Sequence, residues 1–496
     1  MFEAIGIATG EIFTISRIAW LLGGVLLGSL VGFIPGIGGR VTLAILLPFI
    51  VKLDPATAMV LIVGIHCIGN TADTIPAILF GIPGSTSATA TVMDGYPMAK
   101  NGEAERAFGA SFVASGLGGL IGAFTVLLTI PIIRPLILTF GNPEFFMTAI
   151  LAIVMIALLT GGAPVKGLCA GGIGLMIGMI GVAPNTGVDR WTFNELYLYD
   201  GISLIPIALG IFAVPELVDM TLGGSGKKIS ANVQNLTTAT KWRGVKDVFQ
   251  HWSLLVRSSF LGSWIGILPG LGSSTAIWLA YSHAVQSCKD NENFGKGDVR
   301  GVIAPEAANN ASDAGDWCLT LAFGIPGSAT MSLVLAAMVL LGLSAGPRML
   351  TDHLDVTLVI VWSLVLANLM ATGLCFFFTK QLAGITRLPV QFLFPVLMVL
   401  VFLAAFQTTA DWGDLIALLL FSTIGISMKR LGWPRPPLIV GIVLQRLAET
   451  YFFLTTKLYG SEWLIRPTVI VLFILILWTI VHVVTRDARK KARAKS

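Results

Sequence analysis

Apolar positions in this chain come in long unbroken runs. Eleven stretches of at least 18 residues carry no Asp, Glu, Lys or Arg: 18–39, 55–72, 74–93, 107–133, 145–165, 167–188, 258–282, 317–347, 356–379, 388–410 and 467–485. A helix needs about 20 largely apolar residues to cross the hydrocarbon core, so these runs predict spanning helices. Shorter apolar runs at 41–51, 201–215, 415–428 and 436–445 predict further spans, half-spans or re-entrant pieces. Alternating ten-residue amphipathic strands are absent, which argues against an outer-membrane barrel. The expected fold is an all-α polytopic membrane protein. The longest polar stretch, roughly Gly223 to His251, holds Lys227, Lys228, Lys241, Arg243 and Lys246. It predicts a first membrane half at 1–222, a polar linker at 223–251 and a second membrane half at 252–485.

The two halves resemble each other where they are least ordinary. Gly32-Phe33-Ile34-Pro35-Gly36-Ile37-Gly38-Gly39 is answered by Gly266-Ile267-Leu268-Pro269-Gly270-Leu271-Gly272-Ser273, an offset of 234. Phe80-Gly81-Ile82-Pro83-Gly84-Ser85 is answered by Phe323-Gly324-Ile325-Pro326-Gly327-Ser328, an offset of 243. In the second alignment Asp73 falls on Asp316 and Asn70 on Asp313. Matched motifs in the same order mean duplication. Proline removes a backbone donor and clashes with the preceding turn, and glycine lacks the Cβ that resists a sharp turn, so Gly-x-Pro-Gly breaks a helix. Pro35, Gly36, Pro83, Pro269, Gly270 and Pro326 are the expected break residues. Non-helical backbone at membrane depth is tolerated only where protein buries it or a watery cavity lines it. Paired interruptions in two halves are the best sequence pointer to a secondary transporter's site.

Composition narrows the class. Of 496 residues, 55% are apolar and 12% charged, with a surplus of only +5, against about 25% charged in a soluble domain. A water-soluble enzyme, a disordered chain and a nucleic-acid-binding protein are excluded. The first ten residues carry one acid and no basic n-region, so they do not read as a cleaved signal peptide. Arg486, Arg489, Lys490, Lys491, Arg493 and Lys495 follow the last apolar run; the positive-inside rule places this basic tail, 486–496, in the cytoplasm. Five cysteines without CxxC spacing suggest neither disulfides nor a structural metal site. Without HExxH, Gly-x-Ser-x-Gly or a P-loop lysine, nothing points to an enzyme.

Polar residues crowd the breaks. His66, Asn70, Thr71, Asp73 and Thr74 precede the first GIPGS segment, and Ser85, Thr86, Ser87, Thr89 and Thr91 follow it. Glu306, Asn309, Asn310, Ser312, Asp313 and Asp316 precede the second, and Ser328, Thr330 and Ser332 follow. A helix restarting after Gly84 or Gly327 would aim free N–H groups and its positive dipole end at the midplane, an anion site. Ser85 and Ser328 stand where a hydroxyl either caps the helix or donates to a substrate carboxylate. Intramembrane acids default to function, so Asp73 and Asp316 are candidates to bind Na⁺ or carry a proton, with no other cofactor expected. His66 reads as a packed or hydrogen-bonded residue, and Arg446 and Glu449 as an i, i+3 pair. Arg40 is the only basic residue in the motif cores. Helix ends, hydroxyls and a co-transported cation must therefore neutralise a multiply charged anion, which favours symport.

The run Ala304-Pro305-Glu306-Ala307-Ala308-Asn309-Asn310 with the second GIPGS segment, Gly32-Phe33-Ile34-Pro35-Gly36 and Asp94-Gly95-Tyr96-Pro97-Met98-Ala99 closely resembles the large membrane subunit of the tripartite tricarboxylate transporters. The resemblance runs from about Ala19 to Tyr459. It implies a bacterial inner-membrane importer of di- or tricarboxylates driven by an ion gradient. It also implies two partners, a small membrane subunit of about four spans and a periplasmic solute-binding protein. By wider analogy it implies inverted repeats, re-entrant hairpins and elevator-like movement, with Asn70, Thr71, Ser85, Thr86, Asn309, Asn310, Ser328 and Thr330 lining the site. Two departures stand out. Ser312-Asp313-Ala314-Gly315-Asp316-Trp317-Cys318 replaces a run of small residues, making Asp313 a further candidate for ion coupling, and Arg40 stands where a small or hydroxylated residue is expected. A stand-alone carboxylate permease or channel is the alternative.

Overall fold

The computed structural model describes residues 2–32, 38–81, 83–159, 163–222, 238–385 and 390–493. Pro35, Gly36 and the side chain of Arg40 lie outside the described residues. In chain order come α1 (Phe2–Ile12), α2 (Ile15–Gly32), α3 (Gly38–Ile50), α4 (Pro55–Ala72), α5 (Thr74–Phe80), α6 (Val92–Lys100), α7 (Ala104–Leu138), α8 (Asn142–Leu159) and α9 (Pro164–Gly178). A two-stranded antiparallel ribbon, β1 (Gly181–Val182) and β2 (Asp189–Arg190), leads to α10 (Leu204–Ala208), which passes through a π turn (Leu209–Ala213) into α11 (Val214–Leu222). Then follow α12 (Thr238–Gln250), α13 (Trp252–Gly266), α14 (Gly272–Ser287), α15 (Arg300–Phe323), α16 (Ala329–Leu340), α17 (Leu354–Ile385), α18 (Val390–Phe406), α19 (Trp412–Arg430), α20 (Pro436–Tyr459) and α21 (Pro467–Arg493). The protein is an all-α, multi-pass membrane protein.

Among the described residues, six helices are long and apolar enough to cross a membrane: Pro55–Phe80, Ala104–Pro135, Leu354–Leu382, Trp412–Arg430, Pro436–Tyr459 and Pro467–Thr485. A pair bent by 66°, Gly6–Ile12 with Ile15–Ser29, raises the number to seven. Several expected runs therefore resolve differently. Runs 258–282 and 317–347 are each interrupted, α13 giving way to α14 and α15 to α16. The 55–72 and 74–93 runs are not two spans flanking Asp73, because Asp73 keeps near-helical backbone (φ −65°, ψ −15°) inside the 26-residue stretch Pro55–Phe80. The short runs 415–428 and 436–445 belong to full-length helices, Trp412–Arg430 and Pro436–Tyr459. Local chemistry sets the starts. Asp54 accepts from Thr57 N–H at 3.0 Å with Pro55 at the first helical position, and Asp411 accepts from Gly413 N–H at 2.6 Å.

Small residues let the helices approach to backbone contact, as expected in lipid, where packing rather than water exclusion drives association. A Cβ at Gly28 would overlap Ile65 backbone, and one at Gly262 would overlap Ala308 backbone. Gly118 and Gly122 of α7 lie in the same way on Ala307 and Ala311 of α15, Gly174 of α9 on Leu438 and Gly441 of α20, and Gly210 on Phe421 and Ser422 of α19. The contacts are reciprocal: α7 packs on α15 while α17 packs on α4, and α12 packs on α7 while α1 packs on α17. Part of the expected polar linker, residues 238–250, is the helix α12. Its Lys241, 6% exposed, sits 3.1 Å from Glu105 Oε2 and donates to Thr379 Oγ1 and the Phe376 carbonyl, both at 2.9 Å. A polar sequence reads as loop until a buried partner is supplied, and α7 supplies one. At the centre α4 meets α15, with nearly every side chain of both buried.

Candidate functional site

The two GIPGS segments end their helices in the same conformation. Gly81 (φ 66°, ψ 18°) donates to the Ala77 carbonyl at 3.1 Å, and Gly324 (φ 67°, ψ 18°) to the Thr320 carbonyl at 3.0 Å. This left-handed cap favours glycine, and Pro83 and Pro326 follow it before any helix resumes. Ser85 and Ser328 are extended, with φ of −143° and −139°. Ser85 Oγ accepts from Ser87 N–H at 3.1 Å, and Ser328 Oγ from Met331 N–H at 3.2 Å. The restarts differ: α16 begins directly after Ser328, but only a three-residue 3₁₀ turn, Thr86–Ala88, follows Ser85. The expected helix N-terminus is thus present in the second half and reduced to one turn in the first.

Each segment folds onto an intramembrane acid. Ser85 and Ser87 hydroxyls donate to Asp73 Oδ2 at 2.5 and 2.9 Å, so Ser85 both caps its turn and donates to a carboxylate. A Cβ at Gly84 would meet Asp73 Cα and Cβ at 2.8 Å. In the second half a Cβ at Gly327 would strike the Asp316 carboxylate, and the Ser328 hydroxyl lies against the same group. The break between α13 and α14 backs this up: Gly270 N–H donates to the Gly327 carbonyl at 2.8 Å, and buried Pro269 precedes it. Asp73 is 0% exposed and Asp316 2%, and Oδ1 of each accepts no hydrogen bond among the described residues; Asn309 Oδ1 and Asn310 Oδ1 share that state.

Between the acids, α4 and α15 are stitched by polar pairs. Asn70 Nδ2 donates to Asp313 Oδ2, and Asn309 Nδ2 to the Asn70 carbonyl at 3.2 Å. Asn310 Nδ2 donates to Thr71 Oγ1 at 3.1 Å and to Asn368 Oδ1 of α17 at 2.8 Å. Trp317 Nε1 donates to His66 Nδ1 at 3.1 Å, and His66 Nε2 stands 3.8 Å from Asp313 Oδ1. Glu306 accepts from Thr74 and Ser115 hydroxyls at 3.0 and 2.8 Å and from the Thr91 hydroxyl at 2.5 Å. All three donors belong to the first half.

A family model, the tripartite tricarboxylate transporter TctA family, matches residues 18–440. The chain belongs to that family. A relative in Agrobacterium vitis, described as an uncharacterized 52.8 kDa protein in the TAR-I ttuC' 3' region, is 31% identical over 436 residues, 88% of this chain and 86% of its own. Another from that organism, an uncharacterized protein in the TAR-II ttuC' 3' region, is 29% identical over 190 residues, 38% of this chain and 78% of its own. No solved structure matches. TctA proteins are large subunits of tripartite systems that also comprise a binding protein and a small subunit.

In this TctA chain, Asn70, Thr71, Asp73, Gly84, Ser85, Asn309, Asn310, Asp313, Asp316, Gly327 and Ser328 gather on α4, α15 and the two breaks. Thr86 is exposed and Thr330 half-buried on the first turn of α16. Arg446 does not take Glu449: Arg446 is exposed, while Glu449 receives a two-pronged contact from Arg190 of β2 at 3.1 and 3.0 Å, whose planar fork fits a carboxylate. The site also uses residues outside the substrate- and ion-binding set expected from the sequence. Ser87, Trp317 and Glu306 stand beside chosen positions, and Asn368 is a lone amide in the charge-free run 356–379. Asp94, 0% exposed, accepts from the N–H groups of Gly295 (2.8 Å), Gly297 (2.9 Å) and Asp298 (2.9 Å) and from the Tyr281 hydroxyl (2.9 Å). Its signal in the sequence is the run Asp94-Gly95-Tyr96-Pro97-Met98-Ala99, one of those that carry the family resemblance.

Proposed function

We propose that this protein imports di- or tricarboxylates of the citrate type across the bacterial inner membrane by symport with Na⁺ or H⁺. It would work with a periplasmic solute-binding protein and a small membrane subunit of about four spans. The observation that carries the reading is the pairing of each helix break with a buried acid: Gly84 and Ser85 on Asp73, Gly327 and Ser328 on Asp316. Carboxylate substrate would be met by backbone N–H groups and hydroxyls of the breaks and by the amides of Asn70, Asn309 and Asn310. A buried carboxylate oxygen without a partner is costly, so Asp73 Oδ1 and Asp316 Oδ1 are the places where a cation is taken with the substrate. The chain would be two inverted repeats moving as an elevator, the C-terminus cytoplasmic, with no catalysis. The matching cap conformations and the Gly28–Ile65 and Gly262–Ala308 contacts, at the sequence offsets of the motifs, support the repeat.

The test is uptake of labelled citrate and smaller dicarboxylates into vesicles holding this chain and its small subunit, under imposed Na⁺ or H⁺ gradients, with and without binding protein. Gradient-driven uptake that requires the binding protein is expected. Uptake without it makes the chain a stand-alone permease, and no uptake under any gradient overturns the reading.

A further inference from the structure

At the meeting of α4 and α15 lies a group of side chains that substrate binding does not explain. His66 is 5% exposed, Asp313 5% and Trp317 0%. An indole N–H can only donate, so the imidazole nitrogen that receives it, Nδ1, must present a lone pair. The hydrogen of neutral His66 therefore sits on Nε2, facing Asp313 Oδ1 across 3.8 Å. That is beyond the roughly 2.7–3.2 Å of a formed hydrogen bond. Imidazole can accept a second proton only at Nδ1, the position Trp317 holds. Asp313 is already engaged through Oδ2 by Asn70, leaving Oδ1 toward the histidine.

We propose that His66 and Asp313 bind the proton coupled to carboxylate import, and that Trp317 decides when they can take it. The inference rests on the transport reading and assigns one of its coupling ions. His66 belongs to the first half and Trp317 and Asp313 to the second, so a shift of α15 against α4 that withdraws the indole frees Nδ1. The proton enters there, the imidazolium closes on Asp313 as an ion pair, and return of the indole expels the proton. Proton occupancy and the relative position of the two helices are thereby linked. The titratable groups acting on the pair are Cys67 of α4, Asp73 at the junction of α4 and α5, and Asp316 of α15. α17 contributes the uncharged amide of Asn368. Among the described side chains, charges on other packed elements are held elsewhere or turned outward: Glu105 of α7 by Lys241, Arg106 by Asp247, Arg17 of α2 by Glu11, and Asp94 of α6 by Tyr281 and three backbone N–H groups. Lys100 of α6, Arg257 of α13, and Asp355 and Lys380 of α17 are exposed, and Arg134 of α7 and His283 of α14 are half-buried. Glu306 is occupied by its three hydroxyl donors.

The experiment uses the reconstituted chain with its small subunit and binding protein, and labelled citrate as probe. Uptake is followed against external pH at fixed Na⁺, with and without an inward proton gradient. Wild-type uptake should rise with the gradient, and His66→Gln and Asp313→Asn should reduce it to the level without one. Trp317→Phe keeps the ring and removes the donor, so it should still transport, with the half-point of its pH profile moved alkaline by about one unit. Its pH profile remains decisive if the other variants fail to fold. Three results overturn the proposal: wild-type uptake indifferent to the proton gradient and driven by Na⁺ alone, His66→Gln as proton-responsive as wild type, or an unmoved profile in Trp317→Phe. Each leaves the transport reading standing. Absence of any citrate or dicarboxylate uptake sinks that reading, and the proton site with it.

Discussion

At Gly327 one methyl group separates a fitted site from a clash. The added carbon of Gly327→Ala points into the Asp316 carboxylate, which is buried at 2% exposure, so making room for it means moving the acid itself. Uptake should be lost with normal expression, whereas Gly172→Ala, where a Cβ meets nothing within 4 Å, should transport as wild type. Equal uptake in the two variants would remove Gly327 from the site. Glu306 gives the complementary case. Glu306→Ala strands the hydroxyls of Thr74, Thr91 and Ser115 in the interior. At about 1–3 kcal/mol for a buried group left unsatisfied, the purified protein should melt several degrees lower, with Glu306→Gln losing less because its amide oxygen still accepts. The acids and hydroxyls near the breaks were legible in the sequence, because a polar residue inside an apolar run needs a reason to be there. Their partners were not: Thr91 and Glu306 stand 215 positions apart, and composition carries no information about what folds back on what.

The helix breaks were the most legible elements, since Gly-x-Pro-Gly acts through its own backbone and needs no distant partner. α12 was the least, because its run mixes charges with apolar positions and its partners lie far away in sequence. Gly244 lies on the backbone of Arg106 and Ala110, Asp247 pairs with Arg106, Val248 is buried, Trp242 packs on Phe376, and Lys241 is a buried cation. That cation makes a testable joint. Removing one member of a buried ion pair strands the other charge, at a cost of about 3–5 kcal/mol. Lys241→Met should therefore destabilise strongly through Glu105, and adding Glu105→Gln should restore much of the loss. Thermal unfolding of the single and double variants measures this; additive losses would mean that the pair is not coupled. The sequence likeness between halves also extends further than the two motifs. Pro206 and Gly210 of the first half match Pro437 and Gly441 of the second in spacing, and Ile173-Gly174 matches Ile424-Gly425. In the structure Gly174 packs on Gly441, and Gly425 packs on Gly210. Two residues per motif are too few to notice until the contacts show that both sets of glycines serve the same close approach.

For the whole molecule the decisive quantity is which face of the membrane each break can reach. In the proposed inverted repeat, the Asn70–Asp313 contact joins residues at equivalent positions, 243 apart, so the axis relating the halves would pass beside it. The two breaks would then lie on opposite sides of that axis and open toward opposite solutions. Cysteine labelling tests this directly. The native background must first lose Cys169, which is exposed, and Cys288, which is half-buried; Cys67, Cys318 and Cys375 are buried. Ser85→Cys and Ser328→Cys are then introduced singly, both at half-buried positions. A membrane-impermeant thiol reagent should reach one from the periplasmic side and the other from the cytoplasmic side. Citrate with the coupling cation should slow both reactions, because the substrate would occupy the space between the breaks. Labelling of both from the same face, in the presence and absence of substrate, would rule out opposed breaks. It would leave the paired acids to be explained by two sites opening to one side, a geometry in which an elevator could not alternate.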